Sequence, residues 1–301
     1  MAAHCVESVG EVLPENRELW QPEVRLEQRS TPKALSAVQH IRKMRGGSQA
    51  HLMRASDGYL YVCKFANNPQ HIRVLANEFL GTRLGLYLGL PMPEVAVIGV
   101  SSELIKDSPD LRMLIRGCTT ECSSGLQLAS RYLADRKGCE IWDYVPESMV
   151  AKLKNASDFA RALVFDKWTA NSDGRQAVFT KLKTERQVRA TFVDQGYCFN
   201  AGDWEFPDSP WRGIYARTSV YQQVTGWESF EPALSRAEQI DCSELWKLAQ
   251  GIPEEWWMRG DPEDLPRLID QLHQRRLLIR RAITEARELS ARDPFPNWIG
   301  D

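Results

Sequence analysis

Histidine is scarce in this sequence, with five in 301 residues, and none falls in an H-E-x-x-H or related spacing, which argues against a zinc-protease site. Neither a G-x-S-x-G elbow nor a G-x-x-x-x-G-K-[ST] loop occurs, so the serine-hydrolase and P-loop classes recede as well. Charge of one sign is not in excess: 38 Lys and Arg against 40 Asp and Glu leave a formal net charge of −2. That balance supplies none of the long-range attraction on which non-specific polyanion binding depends, and nucleic acid is not an expected partner. Long hydrophobic runs are missing too. No stretch approaches the roughly 20 apolar residues that span a bilayer, and the opening MAAHCVESVGEVLPENRELW is broken by acidic groups, so neither membrane insertion nor export is expected. The seven cysteines are odd in number and form no regular framework, which fits reduced thiols and a cytoplasmic setting. Cys118, Cys122 and Cys139 have no neighbouring His to complete a zinc site. No internal repeat or low-complexity tract is present.

What is present is 43% hydrophobic residues, enough to bury a substantial core. Residues 1–34 read as a polar extension. ALSAVQHIRKM has helical or mixed apolar spacing and stops at Gly46-Gly47. HLMRASDGYLYVCKF reads as two strands joined through Ser56-Asp57-Gly58, because Asp-Gly between apolar runs favours a hairpin. In QHIRVLANEFLGTRLGLYLG, Ile72, Leu75, Ala76, Phe79 and Leu80 share a helical face, and Gly89 with Pro91 ends the helix. PMPEVAVIGV reads as a strand. The Gly, Ser, Thr and Cys-rich passage Cys118 to Gly125 reads as a connection, dividing residues 35–120 from 121–301. Beyond it DFARALVFDKWT is helical, and AVFTKL and VRATFVD alternate like paired strands. Helices follow from Pro232, ending in a long run from Gln271 to Leu289 whose Arg pairs form a solvated face.

Five features stand in the order that phosphoryl transfer from ATP requires. Gly46, Gly47, Ser48 and Gln49 form a turn between a helix and a strand, where backbone amides can approach phosphate oxygens without interference from Cβ atoms. A bare Gly-Gly is equally an ordinary tight turn. Lys64 is a lone cation among apolar strand residues, costly to bury without an anion, and Glu78 on the following helix offers one. Such a pair suits either phosphate binding or a structural salt bridge. Asp173 lies in a polar turn, with Asn171, Arg175 and Gln176 beside it, and can accept a hydroxyl proton; Asn-Ser-Asp-Gly is also a good plain turn. Asp194 closes an apolar strand before Gly196, a position suited to Mg²⁺ ligation or to a turn cap.

The segments YVCKF through VAVI, FDKWTANSDGRQAVF and ATFVDQGYCFNAGDW resemble the HipA-like kinases from about Gly46 to Trp204. The resemblance implies an α+β, two-lobed protein-kinase-like fold, with a small β-rich first lobe and a larger helical second lobe. It implies that Lys64 binds the phosphates of ATP, that Glu78 is its helix partner, that Asp173 is the catalytic Asp and that Asp194 holds Mg²⁺, with residues 46–49 covering the phosphates. The acceptor it implies is a protein Ser or Thr, or the chain itself, within a toxin-like or regulatory system with an antitoxin-like partner. The family's loop runs Asn-x-Asp-Arg-His-x-x-Asn, whereas Val178 stands here where the second metal-binding Asn belongs. Gln176 and Asn171 are the nearby amide oxygens. The departure implies an altered metal arrangement, a slower kinase, or an ATP-binding interaction module without transfer; nucleotidyl transfer in place of phosphoryl transfer is a separate third reading. The loop WEFPDSPWRGIY after Asp194 falls where kinases carry their activation and substrate-binding segment, and serves either acceptor docking or packing.

Overall fold

In the computed structural model, which describes residues 35–300 apart from positions 136, 137, 151, 208, 259 and 291, Leu35–Lys43 is a strand, β1, and not the helix its mixed spacing suggested. Two irregularities in its pairing with β2 (His51–Ala55) explain the misreading. Bulges between Ala37 and Gln39 and between His40 and Arg42 shift the side-chain alternation, so the period of two disappears from the sequence. The Gly46-Gly47 turn therefore joins two strands.

The Asp-Gly hairpin forms as its chemistry dictates. Asp57 Oδ1 accepts from the Tyr59 N–H at 3.0 Å, and Gly58 adopts φ +86°, which a side chain would resist. β3 (Leu60–Lys64) returns along β2 and leads to α1 (Arg73–Tyr87) and β4 (Val95–Val100). After α2 (Ser102–Lys106), β5 (Arg112–Ile115) and β6 (Cys118–Glu121) make a two-stranded hairpin, and β7 (Gly125–Arg131) follows. The strands close into a barrel in the order β1-β2-β3-β7-β4, with β1 returning parallel to β4. Met53, Cys63, Phe65, Ile98 and Ala129 fill it. The Cys118–Gly125 passage is therefore not the connection it was read as. Its thiols are free, and it feeds β7 into the middle of the barrel, so the β-rich part extends to Arg131 and past residue 120.

The remainder carries a three-stranded antiparallel sheet of β8 (Cys139–Trp142), β9 (Gln176–Leu182) and β10 (Arg189–Val193), with β9 in the centre. α3 (Glu147–Val150) and α4 (Asp158–Thr169) intervene between β8 and β9. α4 is buried along almost its whole length, and its Trp168 donates from Nε1 to the Leu272 carbonyl at 2.8 Å. Around it stand α5 (Ala233–Gln239), α6 (Cys242–Ala249), α7 (Asp264–Arg275) and α8 (Ile279–Glu288). The long terminal run is thus two helices, broken by a 3₁₀ turn at Arg276–Leu278. Among the described residues, no helix is long and apolar enough to cross a membrane.

His51, fully buried where β2 begins, faces His40 with its Nδ1 3.0 Å from the His40 Nε2. Burial lowers its pKa from 6.5 to about 4, with the His40 and Lys43 charges acting in the same direction. The unfolded chain therefore binds a proton between about pH 6.5 and 4 that the folded chain refuses, so this contribution to stability is complete above that window and is lost as pH falls through it. Denaturant midpoints measured from pH 7 to 4.5 should fall more steeply for the wild type than for His51→Gln. Equal slopes would show that His51 does not titrate as described.

Candidate active site

Lys64 ends β3 on the face opposite Cys63, so the alternation that sends Cys63 into the barrel turns the Lys64 ammonium toward α1. There its Nζ donates to Glu78 Oε2 at 2.7 Å and to Asp194 Oδ1 at 2.8 Å, with Lys64 only 8% exposed. Burial opposes the charged form of Lys64, but the two carboxylates outweigh it and raise its pKa above the ordinary value. Burial likewise opposes ionisation of Asp194; Lys64 and the Gly196 N–H outweigh it and hold its carboxyl below the usual range. The backbone N–H of Gln195 completes the cluster by donating to Glu78 Oε2 at 2.9 Å. Gly196 lets the segment lie this close to α1, because a Cβ there would stand 2.7 Å from the Val74 side chain.

The second acidic centre is built at the end of α4. Ala170 turns left-handed (φ +47°), the chain leaves the helix, and residues 171–175 fold against Tyr197, whose carbonyl accepts from the Ser172 N–H at 3.0 Å. The Asp173 N–H donates to Asn171 Oδ1 at 3.2 Å. The Asp173 carboxylate accepts from the Gly174 N–H at 2.7 Å and from Gln176 Nε2 at 3.3 Å. Beneath the loop lies a buried network. Arg175 pairs through two nitrogens with Asp166, Asn171 Nδ2 donates to Asp166 Oδ1 at 2.9 Å, and Arg175 also donates to Gln195 Oε1 at 2.6 Å. One chain of charged and polar groups thus joins Asp173's loop to the segment that carries Asp194.

A cavity of about 450 Å³ opens above these groups, lined by Arg45, Gly46, Gly47, Ser48, Gln70, Ser172, Asp173, Gln176, Asp194 and Tyr197. Six of the expected site residues meet on it: Gly46, Gly47, Ser48, Asp173, Gln176 and Asp194. Lys64 and Glu78 stand directly behind Asp194. Two residues do not face the cavity. Gln49 lies in a left-handed turn (φ +47°), and its amide is spent on β5, accepting from the Leu114 N–H at 2.8 Å and donating to the Leu114 carbonyl at 2.7 Å. Asn171 is buried and shapes the loop from below. Among the described residues no group of three or more His, Cys, Asp or Glu forms a ready metal cage. The sequence reading missed Asp166, which looks like an ordinary polar helix position, and missed Gln70 and Tyr197 as lining residues.

Arg175 and Asp166 are both essentially excluded from water, so removing one leaves the other charged and buried. Arg175→Ala should lower the unfolding free energy by about 3–5 kcal/mol in chemical denaturation, whereas the exposed pair Arg281–Glu285 should contribute no more than about 1 kcal/mol. A loss at Arg175 as small as the surface value would contradict the assigned role.

A family model described as HipA-like kinase matches residues 38–285. No curated protein matches the chain. Among solved structures it is similar to hydra Fam20 with sugar, at 13% identity over 85% of this chain and 87% of that one, TM-score 0.55. The Helicobacter pylori proinflammatory kinase CtkA is 15% identical over 83% of this chain and 95% of that one, TM-score 0.54. The Golgi casein kinase with Mn/ADP bound is 14% identical over 84% of this chain and 74% of that one, TM-score 0.50. At such identities the likeness is one of fold, a kinase-like arrangement of mixed α and β structure. With the family match running through both the barrel and the helical part, the chain belongs to the HipA-like kinase family.

Proposed function

We propose that the chain transfers the γ-phosphoryl group of Mg-ATP to an acceptor hydroxyl, a protein Ser or Thr or one of its own. The observation that carries this reading is the Lys64 ammonium held between Glu78 and Asp194, where Asp194 lines a cavity that also receives Asp173. Lys64 binds the nucleotide phosphates, and Glu78 fixes its position. Asp173 orients the acceptor hydroxyl and receives its proton, its carboxylate aimed by the Gly174 N–H and by Gln176. Gly46, Gly47 and Ser48 line the same cavity and cover the phosphates. Asp194 and Gln176 supply hard oxygen donors suited to Mg²⁺, and Gln176, by donating its Nε2 to Asp173, keeps Oε1 as an acceptor. An ion held by these oxygens would neutralise negative charge on the nucleotide phosphates. The fold's occurrence in a Mn/ADP-bound kinase supports nucleotide and divalent-metal use.

Labelled ATP with Mg²⁺ and a mixed protein acceptor tests the reading. Wild type should transfer label, Asp173→Ala should lower the rate by about 10²–10⁴-fold, and Lys64→Met and Asp194→Asn should abolish transfer. A second reading, an ATP-binding module, rests on Val178. It prevails if every protein is silent while ATP still raises the wild-type melting temperature. The mass of the added group separates phosphoryl from nucleotidyl transfer.

Gln49 acts on this reading from a distance, by tying the glycine turn to β5. Gln49→Ala should raise the KM for ATP about 3–10-fold, as expected for loss of one or two hydrogen bonds that hold the turn, and leave kcat within about twofold. A fall in kcat at unchanged KM would refute that role.

A further inference from the structure

The cavity at Asp173 and Asp194 carries a positive charge that the transfer as described does not use. Arg45 is the single Lys or Arg among the ten residues that line it, against the two carboxylates of Asp173 and Asp194. The Lys64 ammonium behind Asp194 is already shared between Asp194 and Glu78. Arg45, by contrast, is exposed, and among the described residues it makes no ion pair and no side-chain hydrogen bond. A nucleotide whose last phosphoryl group enters this cavity meets two carboxylates, and like charges repel more strongly in a recess than in open water. Besides a metal ion, the Arg45 guanidinium is the charge on the cavity wall able to answer that repulsion.

The backbone brings Arg45 to the cavity from a fixed base. The Met44 N–H donates to the Ala50 carbonyl at 2.8 Å and closes the loop of residues 45–49 at its neck, and within the loop the Gln49 N–H donates to the Gly46 carbonyl at 3.1 Å. Arg45 is the first residue inside the neck, beside a backbone bond that does not depend on the Gln49 side chain. Gly46 follows at φ +125°, a conformation that a side chain resists, so the chain turns sharply just past Arg45. On one flank Gln70 packs on the turn: a Cβ at Gly47 would stand 3.4 Å from Gln70 Nε2. The Gln70 N–H is held at 2.9 Å by Oδ1 of Asn68, which is buried and donates to the Phe65 and His71 carbonyls. The loop is braced at its neck and on this flank, and the Arg45 side chain has no bond to give up before it meets an anion.

We propose that Arg45 is a catalytic residue of the transfer, its guanidinium bonded to non-bridging oxygens of the γ-phosphoryl group. The proposal deepens the function given above and rests on it for the reaction. As the acceptor oxygen bonds to the γ-phosphorus, the bond from that phosphorus to the β,γ-bridging oxygen breaks, ADP leaves, and the hydroxyl proton passes to Asp173. Arg45 gives up no proton and forms no covalent bond. Its parallel N–H donors match two oxygens of a phosphoryl group, and they act on the charge that spreads over those oxygens during transfer. An ammonium in the same place supplies charge without the paired geometry.

Two measurements on the full chain decide the proposal. The first requires no transfer: affinities for ADP and for a non-hydrolysable ATP analogue are compared by calorimetry with Mg²⁺ present. Wild type should bind the analogue about tenfold more tightly than ADP, and Arg45→Gln should lose most of that preference while its ADP affinity stays within about twofold. No preference in wild type, or one that survives the substitution, overturns the assignment, and an equal loss of both affinities marks a structural role instead. The second is steady-state transfer from labelled ATP. Arg45→Gln should lower kcat by about 10²–10³-fold, Arg45→Lys should recover only part of the loss, and added guanidinium ion should restore part of the activity of Arg45→Ala. An unchanged kcat with a raised KM for the protein acceptor overturns the proposal in favour of acceptor binding. If wild type transfers nothing, the proposed function fails, and calorimetry still decides whether Arg45 holds the γ-phosphoryl group; if wild type binds neither nucleotide, both fail.

Discussion

The site depends on keeping one ammonium charged away from water. Lys64 comes from β3, Glu78 from α1 and Asp194 from the end of β10, and the two ion pairs span 14 and 130 residues of sequence. An isolated buried charge costs several kcal/mol, so the three segments gain by meeting and lose heavily if one withdraws. The same requirement propagates outward. Glu78 accepts from the Gln195 N–H, Gln195 accepts from Arg175, and Arg175 pairs with Asp166, which holds Asn171 beneath the Asp173 loop. Each buried polar group satisfies the next, so the position of Asp173 is tied to the ion pair at Lys64 through side chains that touch no substrate.

α1 is fastened by a second set of bonds. Asn77, the neighbour of Glu78, is fully buried and donates to the Gly196 and Ala201 carbonyls at 2.9 and 2.6 Å, while Trp204 Nε1 donates to its Oδ1 at 2.7 Å. Arg73, one turn earlier, donates to the Gly202 carbonyl, pairs with Asp264 on α7 and stacks 4.4 Å from the Trp204 ring. Any movement of α1 that separates Glu78 from Lys64 must also break these contacts. The geometry therefore favours a site held assembled before substrate arrives, with the Gly46-Gly47 turn as the part free to adjust. Even that turn is tethered at one end, through Gln49 to β5.

What was legible in the sequence follows the same physics. A lone Lys in an apolar strand and an acidic residue at the end of another strand stand out because burial makes such residues expensive, and both proved to be partners. The Asp-Gly hairpin was legible because its turn chemistry is local. β1 was not, because bulges erase the alternation by which strands are read, and β7 was not, because the polar approach from Cys118 to Gly125 resembles a linker. Asp166 and Asn77 were hidden for a different reason. A polar residue on a helix reads as solvent-facing, and only the assembled fold reveals that both are enclosed. The aromatic segment after Asp194 divides in the same way: Trp204 is an internal hydrogen-bond donor, whereas Trp211 is 55% exposed.

The substitution of Val for the expected Asn at position 178 acquires a geometric meaning from the register of β9 and β10. Gln176 pairs with Val193, the residue immediately before Asp194, whereas Val178 pairs with Thr191, two residues further from it. Two residues along a strand amount to about 6.5 Å, so the side chain at 178 starts well away from the Asp194 carboxylate. Gln176 shares the face of Val178 by strand alternation, but it stands at the open end of the hairpin, on the cavity and within hydrogen-bond reach of Asp173. A long amide at that end can offer the oxygen that a strand residue deeper in the ladder cannot bring to the same point. The 3.3 Å hydrogen bond from Gln176 Nε2 to Asp173 is a long one, and it leaves Oε1 of the same amide as an acceptor. On the function proposed above, Gln176 at the mouth of the loop is the residue that would offer the oxygen that Val178 lacks.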